Sequence, residues 1–164
     1  MTPEYINQTI KSCKLCPDRE KTKEFGWGVR GQIMFVGQNP ADSNTTGLQG
    51  TSNFDNFFLD LLKPLNLTKD DFYFTNLVKI PGNIRDFSRQ TLWHCGDHVI
   101  DEYVAVDPKI IITLGKYATR YTKIESKESL FHPAAIRYGK RTAEQWQEQL
   151  KKILQRSIEY KYKK

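Results

Sequence analysis

With 164 residues, 38% of them hydrophobic and 12% aromatic, the chain has enough material for one complete core and too little for two ordinary domains. One domain over residues 1–164 is therefore expected, and a disordered chain is excluded. Twenty-five Lys and Arg against nineteen Asp and Glu give a net charge of +6, which suits a polyanionic partner, nucleic acid ahead of an anionic membrane surface.

Residues 3–12 are predicted as a short helix that ends at the Cys13-x-x-Cys16 turn, followed by a loop through Gly31. Gln32–Gly37 is the first core strand: Ile33, Met34, Phe35 and Val36 form an apolar run stopped by Gly37 and Pro40, as expected of a strand covered on both faces. A polar loop, Gln38–Thr51, comes next. Ser52 with Asp55 resembles a helix cap, and Phe54, Phe57, Phe58, Leu61 and Leu62 then recur at helical spacing up to Pro64.

Phe72–Val78 alternates as a second strand and leads into the turn-rich segment Ile80–Arg85. A helix from Ser88 to Val106 precedes Asp107-Pro108. Lys109–Leu114, with three consecutive isoleucines, is a third strand; a helix over Lys116–Lys123 and a short fourth strand, Ser129–His132, follow. Trp146, Leu150, Ile153, Leu154 and Ile158 mark one face of a closing helix. Alternating strands and helices predict a three-layer α/β/α sandwich with a central, mainly parallel, four-stranded sheet. Such sheets bind ligands at the carboxyl ends of their strands.

No run is apolar for long enough to span a bilayer, and the opening Met1-Thr2-Pro3-Glu4-Tyr5 lacks a basic start followed by an apolar stretch. A cytoplasmic monomer with no membrane association is expected. Three cysteines cannot all pair within one chain, and Cys13-x-x-Cys16 points to metal or redox chemistry before a structural disulfide.

The unusual polar residues gather in loops after predicted strands. They are Gly37-Gln38-Asn39-Pro40-Ala41-Asp42, Phe74-Thr75-Asn76-Leu77-Val78-Lys79, and Phe131-His132-Pro133-Ala134-Ala135-Ile136-Arg137. This ordered set resembles the uracil-DNA glycosylase superfamily, with its Gly-x-x-Pro first motif, base-reading Asn and His-Pro last motif. Cys13-x-x-Cys16, Asn83-x-Arg85, Cys95 and Pro108–Gly115 add the order of its iron–sulfur branch, family four. The resemblance runs from Cys13 to Arg141.

It implies a monofunctional DNA glycosylase that flips a pyrimidine out of DNA, hydrolyses its N-glycosidic bond and leaves an abasic site. Bond breaking builds negative charge on the departing base and positive charge on the sugar, so the site needs a donor to the base and a placed water. The resemblance assigns the donor to His132. Water placement falls to Asn39, which matches the mismatch-specific thymine/uracil branch, or to Asp42, at the acidic position of the iron–sulfur branch; an Asx turn is the structural alternative for Asp42. Asn76 offers the donor–acceptor pair that reads the base edge. Gln38 and Ala41 flank the base, and Phe54 stacks on it or is ordinary core.

Ile136 stands where the family has a wedge that enters the base stack, with core packing as the alternative. Lys79, Arg85, Arg137, Lys140 and Arg141 are placed for phosphates. No Lys follows Gly37 in the catalytic loop, so a Schiff-base lyase is not implied.

Two departures bear on substrate and metal. Ala41 replaces a Tyr that blocks C5-substituted bases. The site is thereby opened to thymine or to hydroxymethylated or glucosylated pyrimidines of phage DNA, with Ser43–Thr51 offering hydrogen bonds to a sugar and antiphage defence as the setting. Ile80 stands where the iron–sulfur branch has a fourth Cys. That leaves Cys13, Cys16, Cys95 and His98, with His94 as a second His, to hold zinc or an unusual iron–sulfur cluster, or else a relic without metal. A catalytically inactive DNA-binding relative is one alternative. A thiol-redox or small-nucleotide enzyme is another, disfavoured by the lack of a phosphate-cradling Gly-rich motif.

Overall fold

In the computed structural model, which describes residues 2–16, 25–40 and 53–162, five strands form one sheet in the order β1-β3-β2-β4-β5. At its centre lies β2 (Ile33–Gly37), buried throughout and paired in parallel with β3 (Phe72–Asn76) on one side and β4 (Ile110–Leu114) on the other. Hydrogen-bonded at both edges and covered on both faces, β2 needs the unbroken apolar run that its sequence carries. The short β5 (Glu128–Leu130) adds in parallel to β4. These are the four expected parallel strands. The fifth, β1 (Trp27–Gly28), lies in the stretch predicted as loop and pairs antiparallel with β3; two residues are too few for any alternation to show.

Alternate side chains of the strands feed two cores. Ile33, Phe35, Phe72, Phe74, Ile112 and Leu114 pack on one face with Phe58, Leu61 and Leu62 of α2 (Asn53–Leu62) and with Trp146, Leu150 and Ile153 of α6 (Ala143–Tyr162). Met34, Val36, Tyr73 and Ile111 pack on the other with Leu92, Cys95 and Val99 of α3 (Arg89–Val106) and Ala118 of α4 (Lys116–Tyr121). Burying each large apolar side chain contributes about 1.5–3 kcal/mol, so the three central strands β2, β3 and β4 are held from both sides. The result is the expected α/β/α layering. At the amino end, α1 (Pro3–Ser12) sets Ile6 and Ile10 against Ala105 of α3.

Capping defines the helix ends. Ser88 accepts the amide of Thr91 through Oγ at 3.1 Å, which starts α3 one residue later than predicted, and Asp107 in the left-handed region ends it. Thr142 and Gln145 form a reciprocal capping box at the head of α6: the Gln145 amide donates to Thr142 Oγ1 at 3.2 Å and the Thr142 amide to Gln145 Oε1 at 3.0 Å. The predicted cap at Ser52 lies outside the described residues. Among the described residues, no helix is long and apolar enough to cross a membrane.

Two boundaries differ from expectation in ways that matter. Instead of reaching His132, β5 ends at Leu130, because Pro133 has no N–H to extend a ladder and the chain turns into α5 (Ala134–Arg137). Likewise β3 ends at Asn76, two residues before the predicted end, and Lys79 lies in the bend that follows.

Candidate active site

The carboxyl ends of β2, β3, β4 and β5 share one rim. From β2 the chain moves to β3 on one side and, later, to β4 on the other, which makes this rim the switch point at which open α/β sheets bind ligands. Asn39 follows β2 and His132 follows β5, strands whose axes lie two spacings apart, about 10 Å.

Two glycines let polar side chains come close to the backbone there. A Cβ on Gly37 would collide with Oδ1 of Asn76, its register partner, and would touch the Phe74 ring at 3.0 Å. Gly115, at φ +86°, has His132 Cβ 3.0 Å from where its own Cβ would stand. An L side chain at that φ would be strained even with room for it. The absence of these two side chains seats Asn76 and His132 directly on the strand ends.

The imidazole of His132 is held in one tautomer. Its Nδ1 accepts the backbone N–H of Ala134 at 3.0 Å, which leaves the proton of the neutral ring on Nε2. Burial lowers its pKa to about 4, so near neutral pH the ring is an uncharged donor. Phe54 lies beside it with centroids 5.8 Å apart at 29°, and Phe54 also meets Phe58 at 6.1 Å and Phe74 at 6.2 Å. The indole of Trp146 donates to the carbonyl of Phe131 at 3.1 Å and ties the segment before His132 to α6.

After β2, the Asn39 amide donates through Nδ2 to the carbonyl of Gly82 at 2.7 Å. That bond leaves Oδ1 as an acceptor and couples the loop after β2 to the loop after β3. Backbone bonds from Leu77 to the Gly37 carbonyl (2.9 Å) and from Val78 to the Gln38 carbonyl (3.0 Å) reinforce the coupling. Gln38, Asn39, Phe54 and Asn76 are all half-buried. Ala41, Asp42 and the Ser43–Thr51 loop lie outside the described residues.

Lys79 is a correction. Its ammonium is buried and donates to Glu102 Oε2 at 2.6 Å, to Thr75 Oγ1 at 2.8 Å and to the Asn76 carbonyl. A lysine with its donors committed inside the α3 side of the sheet has none to offer a phosphate. The other basic candidates are exposed: Arg85 on the turn Ile84–Asp86, Arg137 on α5, and Lys140 and Arg141 just after it. Arg141 also lines a groove of about 480 Å³ with Gly115, Lys116, Arg120 and Phe131, which adds two cations that no motif had singled out. Ile136 is half-buried against the α2–α6 core, while Tyr138, two residues on, is 78% exposed.

The cysteines divide. Cys16 and Cys95 are buried in the apolar cluster that also holds Ile80, and burial, reinforced by Cys16, pushes the Cys95 thiol up to about 12. Cys13, half-buried, lies instead with His94 and His98. A four-cysteine iron–sulfur cluster needs four thiolates. The chain has three cysteines, and Ile80, fully buried, fills the core at the position of the fourth. The residues present do not fit that cluster.

A profile of the Uracil DNA glycosylase superfamily matches residues 25–155. The chain is 27% identical over 179 residues to a type-4 uracil-DNA glycosylase of Archaeoglobus fulgidus, covering 90% of this chain and 89% of the relative. It is 28% identical over 190 residues to a type-4 uracil-DNA glycosylase of Sulfurisphaera tokodaii, covering 94% and 84%. A third protein of that name, from Saccharolobus solfataricus, is 29% identical over 114 residues, covering 68% and 53%.

Proposed function

The chain belongs to the uracil DNA glycosylase superfamily, and we propose that it is a monofunctional DNA glycosylase that hydrolyses the N-glycosidic bond of uracil in DNA and leaves an abasic site. The observation that carries this reading is the state of His132: a neutral ring, Nδ1 tied to the Ala134 amide, with Nε2–H as its remaining polar group. A neutral donor is what a departing pyrimidine anion requires, since the hydrogen bond strengthens as charge moves onto the carbonyl oxygen.

In this mechanism the flipped base enters the crevice beside Phe54 and presents its Watson–Crick edge to Asn76, with Gln38 flanking it. The C1′–N1 bond breaks with its electron pair leaving on the base, and His132 Nε2–H stabilises the anion at the ring carbonyl. Asn39, its Nδ2 held by Gly82, keeps Oδ1 free to orient a water toward C1′. An amide aims the water without taking its proton; Asp42 is the residue of the same loop able to accept it. Arg85, Arg137, Lys140 and Arg141 bind flanking phosphates, and Ile136 supports the opened stack. The enzyme acts as a cytoplasmic monomer. Ala41 widens the site toward C5-substituted pyrimidines, which extends the reading from repair of deaminated DNA to defence against modified phage DNA.

The test is a panel of duplex and single-stranded oligonucleotides carrying uracil, mismatched thymine, or 5-hydroxymethylated and glucosylated cytosine, incubated with the protein and cleaved with alkali. Uracil release is expected, lost in Asn39→Ala and His132→Ala variants that still fold. Release of the modified bases would extend the substrate range through Ala41. Gel shift of every oligonucleotide with release of no base would replace the enzyme with a DNA-binding relative.

A further inference from the structure

We propose that Cys13, His94 and His98 form a mononuclear zinc site, with water as the fourth ligand, that fastens the segment after α1 to α3. One ligand atom from each residue lies within 4.8 Å of the other two. Zinc bonds of about 2.0–2.3 Å place tetrahedral ligands roughly 3.3–3.8 Å apart, so the three need close by only about 1 Å, within the reach of side-chain rotation.

The backbone already brings the three together. His94 and His98 stand four residues apart on α3, the spacing that puts two imidazoles on one helix face, and their rings lie 5.1 Å apart at 81°. Cys13 is the C-cap of α1, its N–H donating to the Ile10 carbonyl at 3.1 Å, and the packing of Ile6 and Ile10 on Ala105 fixes α1 against α3. Two residues on, the Leu15 carbonyl accepts the Thr91 hydroxyl at 3.4 Å, which lays the segment along the first turn of α3.

The donor set selects the ion. One thiolate with two imidazoles suits zinc, or cobalt as its stand-in, and not magnesium or calcium. On binding, the Cys13 thiol gives its proton to solvent and the neutral imidazoles contribute lone pairs, so the site carries a net single positive charge. Asp97, whose carboxylate lies 3.8 Å from His94 Nδ1 and 2.6 Å from the Lys123 ammonium, holds a negative charge beside it. His94, with a side chain 39% exposed, opens the fourth position to water. Cys16 and Cys95 stay with Ile80 in the apolar cluster.

The experiment is metal analysis of protein purified from medium supplemented with both zinc and iron, followed by chelation and titration with cobalt(II). One zinc per chain is expected, in a colourless protein without acid-labile sulfide. Cobalt should give a thiolate charge-transfer band that disappears in Cys13→Ser. His94→Ala, at a partly exposed position, should weaken zinc binding at least about tenfold, whereas Cys95→Ser should leave it unchanged. Chelator should lower the Tm of the parent protein by several degrees and leave that of His94→Ala unmoved. A brown protein with iron and sulfide, a preparation that binds neither zinc nor cobalt, or equal loss of metal in Cys95→Ser and His94→Ala would each overturn the assignment.

Discussion

At the carboxyl rim of the sheet, the two faces use polar residues in opposite ways. On the α2–α6 face, glycines at 37 and 115 make room for Asn76 and His132 at the strand ends, and His132 keeps its Nε2–H as a donor. On the α3 face, one residue earlier on the same strand, Thr75 joins Lys79 and Glu102 in a buried cluster whose donors and acceptors meet one another. Consecutive strand residues point to opposite faces, so in a segment of five residues, Thr75 to Lys79, the proposed base-reading side chain of Asn76 stands beside two side chains that are tied into a buried cluster. Polar groups that satisfy each other hold the fold; polar groups left facing a cleft are available for chemistry.

Separate disruption of the two faces is the sharpest way to break this contrast. Lys79→Met strands the buried Glu102 carboxylate, and the expected loss is about 3–5 kcal/mol of unfolding free energy, read from urea denaturation. The double variant Lys79→Met/Glu102→Leu should recover most of it, since a buried pair replaced by apolar side chains of similar volume is often close to neutral. A Lys79→Met protein of unchanged stability but weakened DNA binding would return Lys79 to the phosphate contacts from which the structure removes it.

His132→Ala should do the reverse. Loss of the donor costs about 2.7–4 kcal/mol of transition-state stabilisation, or roughly 100- to 1000-fold in the rate of base release. Its urea midpoint should move less than half as far as that of Lys79→Met. Equal losses of stability in the two variants would mean that the faces are not divided as described.

Much of this division was legible in the sequence. The apolar runs at Ile33–Val36 and Ile110–Ile112 announced strands buried on both faces, and the motifs around Asn39, Asn76 and His132 marked the rim, because a motif is local and the rim is built from strand ends. Lys79 was misread for a physical reason: lysine is almost never buried unless paired, and its partner Glu102 lies 23 residues away on another element. The strand predicted through His132 stops at Leu130, since Pro133 and the Nδ1 bond to Ala134 impose a turn that apolar alternation does not reveal. Lys116 and Arg120 sit in no motif, and only the folded surface brings them beside Gly115 and Arg141. Cys13-x-x-Cys16 read as a pair, yet Cys16 belongs to the apolar cluster while Cys13 falls within reach of the two histidines.

The pH dependence of stability sharpens the same contrast at smaller amplitude. Folding lowers the pKa of His132 from an ordinary 6.5 to about 4, so between those values the unfolded chain binds the proton that the folded chain refuses. This contribution is complete above pH 6.5, declines as the pH falls, and is exhausted near pH 4. Discounted for the exposed edge of the ring, it amounts to about 2–3 kcal/mol. Urea titrations across that window should show the slope in the parent protein and a flatter one in His132→Gln. An identical slope in both would assign it to other groups and leave His132 as exposed to solvent protons as a surface histidine.

The smallest expected effect tests how far the α2–α6 face depends on helix ends outside the crevice. Thr142 caps α6 through the Gln145 amide, and four residues later Trp146 reaches from the same helix to the Phe131 carbonyl, one residue before His132. Thr142→Ala removes the cap and should cost about 1 kcal/mol of stability, with Thr142→Ser restoring it because the hydroxyl is retained. Trp146 is fully buried and is fixed by packing with Phe58 as well as by its hydrogen bond, so its hold on the segment before His132 should survive a frayed first turn. The rate of base release should accordingly change less than about twofold, an amount worth under roughly 0.5 kcal/mol. A rate that falls in proportion to the lost stability would instead make the α6 cap part of the device that positions His132, and the boundary between the stabilising and the reactive polar groups would then run through α6 rather than through the sheet.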